Sequence, residues 1–124
     1  MKNMLNFSNF SAEELTEILD IAIDMKKDPA KYENSLTGKK LYMLFEKTST
    51  RTFLSFATAI TELGGTYYTQ LWRDSNFVLG ETVSEVRYVC RNVDIIMARL
   101  VKNETVELFG ENVTVPFING CDST

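Results

Sequence analysis

The segment FEKTSTRT, residues 45–52, crowds one lysine, one arginine and four hydroxyl side chains into a single short run. Hydroxyls can donate or accept, and a guanidinium offers a planar fork of donors. Ser49, Thr50, Arg51 and Thr52 could therefore engage several oxygens of one anion together. If the chain passes from strand to helix through these residues, the first unpaired N–H groups of that helix, at the positive end of its dipole, face the same point. Phosphate is the guest such a nest suits. A plainer reading uses fewer groups: Ser49 or Thr50 caps the helix and does nothing else. Composition alone leaves both open. Lys47 is expected in solvent. The segment is neither GxxxxGK[ST] nor GxGxxG, which disfavours a nucleotide.

The elements on either side must do the positioning. KKLYMLF, residues 39–45, follows the Gly38 turn and reads as a buried strand. Phe53, Phe56, Ala57, Ile60 and Leu63 recur at helical spacing until Gly64-Gly65 stops them. Upstream, Ser11 and Glu14 form a capping box, Phe10 and Leu15 a hydrophobic staple, and Leu15, Ile18, Leu19, Ala22 and Met25 one apolar stripe ending near Lys27. Downstream, residues 66–71 read as a strand and residues 72–81 as an exposed loop. Thr82 and Glu85 suggest a second capping box opening a helix along Val83, Val86, Val89 or Cys90, and Val93. Residues 94–98 predict a strand, 103–110 a short helix and 113–118 a last strand.

Alternating strands and helices predict an α/β fold: one three-layer αβα domain over residues 1–124, with a four-stranded parallel sheet flanked by helices. In such sheets ligands sit beyond the carboxyl ends of the strands, which is where the 45–52 segment, the 72–80 loop, Arg99 and Asn119-Gly120 all fall. At 124 residues and 44% hydrophobic, the chain suits one core. A net charge of −4 disfavours a nucleic-acid surface, so any anion must be held locally. Cys90 and Cys121 lack the number and spacing of a disulfide framework or zinc site, and no histidine is present to serve as a base. No metal or other cofactor is expected. No apolar run approaches the roughly 18 residues of a membrane span, and the first residues lack a signal-peptide core, so a cytoplasmic location is expected.

FEKTSTRT followed by SFATAITELGG resembles the carbamoyl-phosphate motif of the aspartate/ornithine carbamoyltransferase family, in which Ser-x-Arg-Thr opens a helix ending at Leu-Gly-Gly. GETVSEVRYVCRNVDIIMAR, residues 80–99, resembles that family's Gly-Glu-Ser/Thr segment, helix and Asp-x-Ile-x-x-Arg strand. VPFING, residues 115–120, resembles the segment preceding its His-Pro-x-Gln motif. Phe-Glu-Lys before the motif and Asn-Gly after Pro-Phe-Ile look more like the ornithine branch. The resemblance implies a carbamoyl-phosphate-binding domain, in which Ser49, Thr50, Arg51, Thr52 and Arg99 hold that substrate and Arg51, Thr52 and Arg99 serve its chemistry.

It further implies a homo-oligomer, a trimer or a multiple of trimers, in which the loop of Trp72, Arg73, Asn76 and Phe77 meets a neighbouring subunit and Glu81 pairs with the neighbour's Arg51. An interface would also account for an otherwise exposed tryptophan. The read-out departs from the family in places: Phe53 replaces a second arginine, the loop reads NFVLGET, and the helix carrying Arg87 is one residue short. The expected His-Pro-x-Gln and the amine-binding second domain are not in these residues. The expectation is therefore the N-terminal half of a carbamoyltransferase acting on carbamoyl phosphate and an amine, ornithine first, in arginine metabolism. Alone it should not turn over, and it should expose apolar surface meant for a partner. The competing class is a non-catalytic module that senses a phosphorylated metabolite or recruits a protein.

Overall fold

The computed structural model describes residues 3–120. Its strands are β1 (Lys40–Phe45), β2 (Thr66–Leu71), β3 (Ile95–Arg99) and β4 (Phe117–Asn119), and its helices α1 (Ala12–Lys27), α2 (Thr50–Glu62), α3 (Thr82–Cys90) and α4 (Asn103–Asn112). All pairings are parallel, in the order β2-β1-β3-β4. This is the α/β sheet the alternating pattern predicts.

A central strand covered on both faces needs apolar residues at every position, and β1 is buried from Leu41 to Phe45. Tyr42 and Leu44 point to one layer, with Val86, Cys90, Val106, Phe109 and Phe117. Leu41, Met43 and Phe45 point to the other, where Ala57 and Ile60 of α2 cover them. Cys90 is a buried free thiol; Cys121 lies outside the described residues.

The end of α2 shows why a Gly-Gly pair stops a helix. Gly64 takes a φ of 93° and donates to the Thr61 carbonyl (3.1 Å), while Gly65 donates to that of Ile60 (2.9 Å), the paired bonds of a Schellman cap. A Cβ on Gly65 would lie 2.8 Å from the Lys39 carbonyl oxygen and 2.8 Å from Ile60 Cδ1. We expect Gly65→Ala to cost about 1–3 kcal/mol, because a backbone atom cannot yield as a side chain can. A thermal melt superimposable on the parent's would show that the turn has room after all.

Two expectations need correction. The capping box at Ser11 is present: Glu14 N–H reaches Ser11 Oγ (3.1 Å) and Ser11 N–H reaches Glu14 Oε1 (3.0 Å). The cap of α3 is not. Gly80, at a φ of 85°, turns the chain so that the Glu81 carbonyl accepts the first helical bond from Glu85 (3.1 Å), which makes Thr82 the first helical residue and leaves no side-chain cap. The last strand is shorter than residues 113–118. Val113 ends α4 by donating to Phe109 (2.9 Å), and Pro116, lacking an N–H, only accepts, from Ile96 (3.0 Å).

The stripe along α1 is present but unburied: no residue of the helix is buried, and Leu19 is 62% exposed. Between α1 and the β3–β4 side of the sheet runs a groove of about 730 Å³ lined by Phe10, Ile18, Leu36, Ile95 and Ile118 among others. Apolar surface is thus exposed, as the sequence predicts.

Candidate functional site

β1 leaves the sheet at Phe45, opposite Arg99, the last residue of β3. Their carboxyl ends thus bring residues 45–52 beside Arg99, although Thr52 and Arg99 stand 47 positions apart. Ser49 caps α2: its backbone is extended (φ −155°, ψ 110°), and its Oγ accepts from Thr52 N–H at 3.3 Å. The capping part of the plainer reading holds for this one hydroxyl.

It does not account for the rest. Thr52 Oγ1 accepts from Ser49 Oγ at 3.0 Å and from Arg99 Nη1 at 3.2 Å. With both lone pairs engaged, the Thr52 hydroxyl is left to act as a donor. Arg99 is half-buried, and its Nε is buried without an acceptor among the described residues. A buried guanidinium N–H left unpaired is costly, so a group that supplies an oxygen there is favoured. Thr50 and Arg51, the first two residues of α2, are exposed, as are Lys47 and Thr48. The helix itself provides no partner for their first amides. Ser49, Thr52 and Arg99 are therefore interlocked, with Thr50 and Arg51 open to solvent beside them. The expected solvent position of Lys47 holds.

Glu46 is a residue whose part sequence reasoning did not assign. Its N–H donates to the Arg99 carbonyl (2.9 Å), and its Oε1 accepts from Val101 N–H (2.8 Å). The available signal was a single carboxylate closing the apolar run LYMLF.

The loop after β2 differs from the unstructured stretch expected. It forms two short 3-10 turns, Trp72–Asp74 and Asn76–Leu79. Ser75, itself buried, joins them: its Oγ donates to the Trp72 carbonyl (2.7 Å) and accepts from Phe77 N–H (3.2 Å). Tyr42 donates to Gln70 Oε1 (2.5 Å), and Gln70 Nε2 reaches the Asp74 carbonyl at 3.5 Å. Burial first, then the nearby Glu85 carboxylate, pushes the Tyr42 phenol up, so it remains a donor. Phe77, expected at an interface, is buried in this chain's own core and stacks on Trp72 with centroids 5.3 Å apart. Trp72 is half-buried, so exposure supplies no argument for an interface there; Arg73, Asn76 and Glu81 are exposed. Arg87 Nη2 reaches Asn112 Oδ1 (3.4 Å), joining α3 to α4. Asn119 Nδ2 donates to the Leu5 carbonyl (2.9 Å), while its Oδ1 is buried without a partner among the described residues.

Residues 2–124 match the family model described as aspartate/ornithine carbamoyltransferase, carbamoyl-P binding domain. A catabolic ornithine carbamoyltransferase of Halobacterium salinarum is 38% identical over 121 residues, covering 97% of this chain and 41% of its own length. The solved anabolic ornithine carbamoyltransferase of Campylobacter jejuni superposes with a TM-score of 0.91 at 36% identity, over 98% of this chain and 40% of that one. The catalytic subunit of M. jannaschii aspartate transcarbamoylase gives a TM-score of 0.88 at 33% identity, over 100% of this chain and 42% of that one. The chain thus spans about two fifths of the length of the relatives it matches.

Proposed function

Because this chain belongs to the aspartate/ornithine carbamoyltransferase family through its carbamoyl-phosphate-binding domain, we propose that the lip formed by residues 49–52 and Arg99 grips carbamoyl phosphate. The observation that carries this reading is Arg99: its guanidinium reaches Thr52 at the start of α2, and its buried Nε has no acceptor among the described residues. Phosphate oxygens would engage the Arg99 guanidinium, the leading amides of α2 and the exposed Arg51 fork together. Ser49 serves mainly through the bonds that hold Thr52 in place.

The chemistry follows from where charge builds. A neutral amine attacks the carbonyl carbon, negative charge grows on the carbonyl oxygen, and phosphate departs with more charge than it carried. Donors fixed in advance favour that state over the ground state. Thr52, its lone pairs engaged, is the donor suited to the carbonyl oxygen; Arg51 and Arg99 suit the phosphate. The amine, ornithine in this reading and citrulline as product, would be presented by a further domain that holds it against this lip, which supplies the proximity term. The relatives named for ornithine favour that amine over aspartate. We assign the enzyme to arginine metabolism in the cytoplasm. It would work as a homotrimer or a multiple of trimers, in which the loop of Trp72 and Asn76 meets the neighbouring subunit and Glu81 pairs with its Arg51.

Titrating inorganic phosphate and then carbamoyl phosphate into the labelled chain tests the site by NMR. The Thr50 and Arg51 amides should shift first and saturate, and Thr52→Val should weaken the carbamoyl phosphate titration about tenfold, on the scale of one lost hydrogen-bond donor, and the inorganic phosphate titration less. Shifts confined to other regions would overturn the assignment.

A further inference from the structure

We propose that Glu46 is a positioning residue for Arg99, holding the end of β3 so that the guanidinium meets α2. This inference rests on the anion-site reading above. The ladder between β1 and β3 closes with Phe45 opposite Arg99. Beyond that rung β1 turns away toward α2, and β3 would normally be released. Glu46 prevents the release from both sides of Arg99's carbonyl. Its backbone N–H takes that carbonyl (2.9 Å), and its carboxylate takes the N–H of Val101, two residues further on (2.8 Å). The second bond, between groups 55 positions apart, is a side chain standing in for the strand that is no longer there. A backbone N–H held by an ionised acceptor is a strong, directional contact. With Leu100 buried between the two anchor points, the backbone of residues 99–101 has little freedom left. Arg99 Nη1 can then reach Thr52 Oγ1 (3.2 Å) from a fixed Cα.

Electrostatics sharpens the argument. A carboxylate near an anion site repels the anion, so charge gives Glu46 no favourable part in binding there. Its worth lies in accepting from Val101. The two properties separate by substitution: Glu46→Gln keeps an oxygen at the same reach and removes the charge, whereas Glu46→Asp keeps the charge and withdraws the oxygen by one carbon.

The test compares the parent chain with Glu46→Gln, Glu46→Asp and Glu46→Ala, using inorganic phosphate as the probe and hydrogen exchange at the Val101 amide without phosphate. Glu46→Asp and Glu46→Ala should lose Val101 protection and raise the phosphate Kd about fivefold or more, on the scale of one misplaced charged contact. Glu46→Gln should restore Val101 protection and bind phosphate at least as tightly as the parent. Parent-like affinity in Glu46→Asp, or affinity in Glu46→Gln as weak as in Glu46→Asp, would overturn the inference. If Glu46→Ala fails to fold, the Gln and Asp pair still decides the matter. A parent chain that binds no phosphate at all would instead overturn the anion-site reading and this role with it, an outcome distinguishable from a parent that binds and an Asp variant that binds equally.

Discussion

Replacing Arg51 with alanine should weaken phosphate and carbamoyl phosphate binding about ten- to a hundredfold, the worth of charge-assisted hydrogen bonds to an ionised group. The fold should not notice. Arg51 is exposed, at the second position of α2, and Ser49 rather than Arg51 caps the helix. Its guanidinium is therefore expected to act on a ligand and not on the structure. Lysine should rescue only part of the loss, because a point charge cannot reproduce a two-pronged contact. Calorimetry at two salt concentrations checks both features: the loss should shrink as salt rises, since an exposed cation is screened within about 10 Å at 0.1 M. Equal affinity in parent and variant would leave residues 49–52 as a cap alone.

Phe77→Ala should be the most destabilising single change proposed here, at about 3–5 kcal/mol. Phe77 is 2% exposed and lies within a series of rings: 5.3 Å from Trp72, 5.5 Å from Phe109, which is in turn 5.6 Å from Phe117 of β4. The series ties the loop after β2 to the sheet through α4. Removing its second member leaves a cavity and releases Trp72, the chain's one tryptophan, from its stacking partner. The denaturation midpoint should fall, and the near-ultraviolet dichroism of Trp72 should weaken before the global transition. Because a loss of that size is a large share of a small domain's stability, Phe77→Leu provides a milder check, expected to cost about 1–1.5 kcal/mol. An unchanged midpoint in both variants would mean that the ring faces outward, as the sequence alone suggested.

The two arginines show different parts of what a sequence can say. Arg51 is legible because its neighbours in the chain are its neighbours in space: hydroxyls at 49, 50 and 52 and the opening of a helix all lie within one turn. Arg99 by itself looks like a charged residue ending a strand; its place at a strand's carboxyl end made it a candidate, and a motif resemblance gave it a role. Its contact with Thr52 spans 47 positions and exists because β1 and β3 are adjacent in the sheet.

What the sequence determined unaided is the local and the periodic. The box at Ser11 and Glu14, the Gly64-Gly65 stop, the doubly buried β1 and the parallel α/β order are each set by bonds spanning a few residues or by repeated burial on one face. What the tertiary structure decided is everything that depends on which strands lie side by side and on the exact path of the turns. Gly80 placed the α3 cap on Glu81 instead of Thr82, Pro116 shortened the last strand, the aromatic series drew Phe77 inward, and α1 kept an apolar stripe with no fully buried member. Glu46 belongs to this second group: its acceptor serves a backbone amide 55 positions away, and no pattern within reach of a helical turn or a strand period encodes that pairing.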